Sequence, residues 1–200
     1  MTEIDYYFDP VCPFAWAASR WLTDQAARND VRVDWHVMSL AVLNEGRELS
    51  SDKQRRQIER SRRLGRVFMA AVAEVGDGSI GPLYDAVGRR LHQDGAVMTH
   101  EVVAQALSDA GLPAELAAAM DDESFDGSLG EHHRRSQDAL GETGGSPIIG
   151  IDGRHFFGPV LSAIPVGDEA DALFSSLVTL ARIPAFAQLR RPADGHPVFS

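Results

Sequence analysis

The run Phe8-Asp9-Pro10-Val11-Cys12-Pro13-Phe14-Ala15-Trp16 decides the reading of this 200-residue chain. Upstream, Ile4, Tyr6, Tyr7 and Phe8 make an apolar, β-rich segment that stops at Asp9-Pro10. Downstream, Pro13 opens a stretch of helix formers from Ala15 to Ala27. Proline suits a first helical turn because its missing N–H would have no intrahelical partner there. Cys12, the one cysteine in the sequence, therefore sits at a strand-to-helix junction over the positive end of a helix dipole. That placement predicts a lowered pKa and a reactive thiolate, against the alternative of a buried, inert cysteine. A dithiol helix would read Cys-x-x-Cys, and Ala15 occupies the second position. Cys12 cannot close a disulfide within its own chain, so a covalent cycle needs a thiol from solution or from another protein.

Two hundred residues suffice for one compact domain, or for a domain with a large insertion. An apolar fraction of 44% and a charged fraction of 24% are ordinary for a soluble globular protein. A net charge of −10 argues against nucleic acid as a partner, since phosphate contacts need clustered Lys and Arg. No stretch is long and apolar enough to predict a membrane span. Met1-Thr2-Glu3 leads straight into a strand, with no basic region or apolar core of a signal peptide. With one cysteine and no leader, a reducing, cytoplasmic location is expected.

Along the chain, a helix is predicted from Pro13 to about Arg28, followed by Val31-Arg32-Val33-Asp34-Trp35-His36-Val37, apolar at every odd position, as a half-buried strand. From Ser50 to about Leu140 the β signal disappears. Ser51-Asp52 caps an Arg-rich helix that stops at Gly76. Further helices are predicted over Pro82–His92, from Thr99 to Gly111, from Pro113 to Met120 and over Ser124–Leu140. The β signal returns at Ile148-Ile149-Gly150-Ile151. Asp152-Gly153 then predicts a tight hairpin into Arg154–Gly158. A last helix is expected from Val166 to Arg182, and the tail, 191–200, reads as loosely held. The order predicts an α/β fold: a small mixed sheet over 1–44 and 136–190, with an all-helical insertion over 45–135.

This is the layout of a thioredoxin-like fold, and the chain resembles the DsbA-like superfamily over nearly its whole length. The resemblance starts at Phe8-Asp9-Pro10-Val11-Cys12-Pro13 and ends at Gly145-Ser146-Pro147-Ile148, which is similar to the cis-proline loop of that superfamily. Within it, the chain looks most like the actinobacterial mycothiol-dependent nitroreductase group. Four runs carry this: His36-Val37-Met38-Ser39-Leu40 with Leu43-Asn44, Pro82-Leu83-Tyr84, Asp109-Ala110-Gly111-Leu112-Pro113, and Phe156-Phe157-Gly158-Pro159-Val160-Leu161. The group's Cys-Pro-Trp-Cys pattern is here Cys12-Pro13-Phe14-Ala15, so the nucleophile carries over and the resolving cysteine does not. The resemblance implies a monothiol oxidoreductase with Cys12 as catalytic residue. It implies no tightly bound cofactor, a low-molecular-weight thiol such as mycothiol as cosubstrate, and nitroaromatic or disulfide substrates. Pro13, Phe14, Asn44, Ser146 and Pro147 are the expected thiol- or substrate-binding residues, with Ser146 and Pro147 beside Cys12. Two alternatives stay open. Class kappa glutathione transferases and 2-hydroxychromene-2-carboxylate isomerases share the inserted layout and use a single Ser or Cys to hold a thiol; a non-catalytic binding module is the other. A homodimer is compatible with the sequence.

Other candidates read as structural. Seven histidines show no metal-ligand spacing, and adjacent His132 and His133 read as solvated helix-surface groups, so no metal is expected. Gly76-Asp77-Gly78-Ser79-Ile80-Gly81 fits G-x-G-x-x-G but lies between helices, which makes it an interhelical turn rather than a dinucleotide loop. Arg55, Arg56, Arg60, Arg62, Arg63 and Arg66 read first as a solvated helix face. The alternative is that one or two of them face the cleft and hold an anionic cosubstrate or thiol carboxylate.

Overall fold

The computed structural model describes residues 2–192 and 195–199. Four strands, β1 (Glu3–Phe8), β2 (Arg32–Val37), β3 (Ile148–Ile151) and β4 (Arg154–Phe157), form one sheet in the order β2-β1-β3-β4. β1 pairs parallel with β2, as a crossover through a helix requires, and antiparallel with β3. That crossover helix, α1 (Pro13–Asn29), has Pro13 in its first turn and ends on Asp30 in the left-handed region. The β3–β4 hairpin turns on Asp152 and Gly153, both with positive φ (49° and 78°), as a two-residue turn demands.

Between β2 and β3 lie α2 (Leu40–Leu43), α3 (Asp52–Val75), α4 (Ile80–Gly88), α5 (His100–Asp109) and α6 (Asp126–Leu140); α7 (Gly167–Ala181) follows the hairpin. No strand interrupts 45–135 among the described residues. This is the thioredoxin-like α/β fold with a large helical insertion. Ser51 caps α3 by accepting from the Gln54 N–H, and Gly76 ends it at φ 87°. The Gly-rich run is the expected turn, a 3₁₀ segment at Asp77–Ser79.

Three expectations are modified. The helix expected over Pro82–His92 starts at Ile80 and, after Gly88, widens into a π turn, Arg89–Gln93. The segment after Pro113 closes i to i+3 bonds, so it is a 3₁₀ helix over Ala114–Asp121. Residue 136, expected to mark the return to the sheet, falls inside α6, whose Ala139 and Leu140 pack on Tyr7, Met38 and Ile148. The tail is also tied down where it is described. Val198 bridges to Ala163, its N–H donates to the Ser162 carbonyl at 3.0 Å, and Phe199 packs against His92 and the core. Residues 193, 194 and 200 of that tail lie outside the described residues.

The main core joins sheet, α1 and insertion. Tyr84 of α4 stacks on Phe8 with ring centroids 3.6 Å apart, and Trp16 of α1 meets Tyr84 edge-on at 5.6 Å. Gly88 makes room for this contact, because a Cβ there would lie 2.1 Å from the Trp16 ring. The insertion therefore packs directly over the turn that carries Cys12.

Candidate active site

Cys12 has extended backbone (φ −79°, ψ 113°) and immediately precedes α1. Its N–H donates to the Asp9 carbonyl at 3.0 Å, which closes the turn between β1 and α1. The sulfur faces the loop before β3: the Cys12 thiol donates to the Ser146 carbonyl at 3.2 Å, and the Ser146–Pro147 peptide is cis. Ser146 is held in turn by the Asp9 N–H, which donates to its hydroxyl at 2.9 Å. The Pro147 carbonyl accepts from the Gly158 N–H at 2.8 Å, fixing this loop to the end of β4. The Gly158–Pro159 peptide is also cis.

The structure places Cys12 at the turn before α1, with Pro13 and Phe14 in the helix's first turn, and brings Ser146 and Pro147 of the facing loop beside the sulfur. Phe14 is half-buried, and the Phe157 ring, 45% exposed, lies against Gly145, so the rim carries aromatic surface. Asn44 is engaged differently. Its Nδ2 donates to the Leu40 carbonyl at 2.7 Å, which makes it the C-terminal cap of α2.

The electrostatics overturn one expectation. Cys12 is only 5% exposed, and burial pushes its thiol up from 9.0 to about 11. The Ala15 N–H, the Ser146 hydroxyl and the Phe14 N–H favour the thiolate, though neither N–H closes a cap hydrogen bond, while the nearby Asp9 disfavours it. The helix start supplies donors, but burial outweighs them. The resting group at neutral pH is a thiol. Two open surface clefts, of about 490 and 620 Å³, lie at the α5 face and along the β2 edge, and Cys12 lines neither.

Alkylation of Cys12 by iodoacetamide is accordingly expected to accelerate about tenfold per pH unit through pH 9 and to level off only near 11. A plateau reached below pH 8.5 would contradict the burial argument. The linked stability has a definite sign. The folded thiol ionises above its unfolded value, so its contribution is full below pH 9 and is lost as the pH rises toward 11.

Two residues that the sequence does not single out organise the site. Asp9 is fully buried. Its Oδ1 accepts from the Val11 N–H at 2.8 Å, and its Oδ2 accepts from the Leu40 N–H at 2.6 Å and from the Ser61 hydroxyl of α3. Burial raises its pKa and these donors pull it back. One carboxylate thus joins the Cys12 turn, the exit of β2 and the insertion. The second is His92 of the π turn, which stacks on Trp16 and meets the Pro10 carbonyl with Nε2 at 2.9 Å. Burial pushes its pKa down to about 4, so the neutral ring donates to that carbonyl. His133, expected on the surface, is 7% exposed, and its Nδ1 accepts from the Ser39 N–H. Among the described residues no group of three His, Cys, Asp or Glu is arranged for a metal.

The site is thus a thiol at a helix start, facing the carbonyl that precedes a cis-proline, under a helical insertion. Over residues 11–191 the sequence matches the Rv2466c-like family, described as mycothiol-dependent nitroreductase Rv2466c. The chain belongs to this family. It is 33% identical over 197 residues to the uncharacterized protein Rv2286c of Mycobacterium tuberculosis, covering 96% of this chain and 83% of that one. Among solved structures it is similar to a probable DsbA oxidoreductase, SCO1869, from Streptomyces coelicolor, at 20% identity and a TM-score of 0.61 over 99% of both chains. It is also similar to a 2-hydroxychromene-2-carboxylate isomerase, at 13% identity and a TM-score of 0.60 over 90% of this chain and 95% of that one. At such identities the structural likenesses establish the DsbA-like thioredoxin fold, and the family match establishes a place among oxidoreductases.

Proposed function

We propose that this protein is a cytoplasmic monothiol oxidoreductase that exchanges disulfides with a low-molecular-weight thiol, mycothiol being the thiol of its family. The observation that carries the reading is Cys12 itself: a lone cysteine whose sulfur lies 3.2 Å from the Ser146 carbonyl at a helix start, with the Ala15 and Phe14 N–H groups favouring its thiolate and Ala15 where a resolving thiol would stand. The thiolate attacks a small disulfide, forming a Cys12 mixed disulfide and expelling one thiolate. A second small thiol then attacks the outer sulfur, regenerates Cys12 and leaves as the new disulfide. The two N–H groups stabilise negative charge on sulfur in both steps. Pro13, Phe14, Ser146 and Pro147 flank the bound thiol. The aromatic rim at Phe14 and Phe157 suits an organic substrate with an aromatic ring, including a nitroaromatic one.

A second reading is favoured by one observation, the neutral resting thiol that donates to a carbonyl. Such a group can hold a bound thiol by hydrogen bonding without exchanging with it, as a transferase or isomerase requires. Incubation with mycothiol disulfide separates the two. Monothiol exchange is expected to add one mycothiol mass at Cys12, removable by excess thiol, and Cys12→Ser is expected to abolish both adduct and turnover. Full activity in Cys12→Ser with no adduct in the wild type would overturn exchange in favour of thiol holding.

A further inference from the structure

Cys12 is 5% exposed and lines neither surface cleft, so a small thiol reaches its sulfur only when something moves. Much of what covers the Cys12 turn is core. Phe8, Trp16 and Tyr84 are fully buried against one another, and parting them would break that core. The π turn after α4 is different. None of its five residues, Arg89–Gln93, is buried, and its backbone closes a wide bond from the Asp94 N–H to the Arg89 carbonyl. His92 is its hold on the Cys12 turn. The ring stacks on Trp16 with centroids 5.8 Å apart, and Nε2 donates to the Pro10 carbonyl at 2.9 Å, two residues before Cys12. A segment with so few buried contacts opens locally at far lower cost than the helices around it.

The same ring also meets the tail. Phe199 is half-buried, with its centroid 5.9 Å from that of His92. Pro197 is buried, and Val198 bridges to Ala163, donating its N–H to the Ser162 carbonyl at 3.0 Å. Ser162 and Ala163 belong to the segment that leaves β4 at Gly158, whose N–H donates to the Pro147 carbonyl at 2.8 Å. The tail therefore fastens the π turn to a segment anchored on the cis-proline loop. Both anchors border Cys12: Pro10 is two residues away, and the Ser146 carbonyl is 3.2 Å from the sulfur. Each fastening is slight, one ring contact at one end and one hydrogen bond at the other, as a closure that must open repeatedly requires.

We propose that the tail, 195–199, is a latch on the π turn, and that the two together gate the approach of small molecules to Cys12. The inference rests on Cys12 being the reacting group and not on which thiol it meets. Because Cys12 is the one cysteine in the chain, its alkylation by iodoacetamide at pH 8 reports access directly, at a rate set by the open fraction. Phe199→Ala removes the ring from His92 and is expected to speed alkylation by about tenfold, the worth of a half-buried aromatic contact. Val198→Pro removes the N–H donated to Ser162 and is expected to speed it by about fivefold. Phe199→Leu keeps apolar bulk and is expected to stay within about twofold of the wild type. Hydrogen exchange measured beside it is expected to quicken over 89–93 and to stay unchanged over 64–71 in the middle of α3. Faster exchange in both regions alike would make the tail a general support of the fold and overturn the latch, as would unchanged alkylation in either Phe199→Ala or Val198→Pro. The exchange reaction is judged apart: variants that alkylate faster, yet gain no adduct from mycothiol disulfide, would keep the latch and overturn the proposed function.

Discussion

Asp9→Ala is expected to destabilise the protein by about 3–5 kcal/mol, a drop in Tm of roughly 10 °C, making it among the most damaging single changes outside the aromatic core. The carboxylate is fully buried, and three donors converge on it: the Val11 and Leu40 N–H groups and the Ser61 hydroxyl. Alanine leaves all three in the interior without an acceptor, at about 1–3 kcal/mol each, less whatever the site recovers by relaxing. The same change frees the Cys12 turn from α2 and from the insertion, so the sulfur is expected to become more exposed and more quickly alkylated at pH 8. Asp9→Asn keeps one carbonyl oxygen and is expected to lose less than half as much stability. Urea unfolding of the two variants beside the wild type checks both statements. An alanine variant within about 1 kcal/mol of the wild type would mean that water replaces the carboxylate, and that Asp9 is not the tie between loop and insertion.

What was legible in the sequence is what short-range physics determines. The alternation from Val31 to Val37, the Asp152-Gly153 turn, the Ser51 cap and the stops at Gly76 and Gly111 each depend on a few neighbouring residues, and each stands where it was read. Pro13 at a helix start placed Cys12 correctly for the same reason. The sulfur's pKa was misjudged because it depends on burial, and burial is set by elements far along the chain. Asp9 illustrates the limit. Before a proline it reads as a turn residue, yet its side-chain and backbone partners Leu40, Ser61 and Ser146 lie 31, 52 and 137 residues away. Its only local cue was an acid at the end of an apolar strand. His92 gave still less, since a histidine late in a helix shows nothing of a carbonyl 82 residues upstream. Asn44 shows the converse: a polar residue leaving the sheet reads equally as a pocket group or as a cap, and here its side chain caps α2.

Restoring the missing sulfur is expected to change the course of the reaction. Ala15 lies three residues after Cys12, so a side chain at this position starts on the first turn of α1, on about the same face as the nucleophile. In Ala15→Cys, the introduced thiol attacks the Cys12 sulfur of a mixed disulfide, expels the small thiol and leaves an intrachain disulfide. Because the attack is intramolecular, release of the adduct is expected to be faster by on the order of a hundredfold than from the wild type in millimolar thiol. It should also need no added thiol at all. Mass spectrometry after a single exposure to mycothiol disulfide reads both outcomes: a persistent adduct on the wild type, and a loss of two hydrogens with no adduct on the variant. Ala15 is completely buried, so the larger side chain is expected to cost about 1 kcal/mol, small enough for the variant to fold. A folded variant that takes up the adduct at Cys12 and keeps it would show that the two sulfurs cannot meet. The turn at Cys12 would then be shaped for a thiol from solution and for no other.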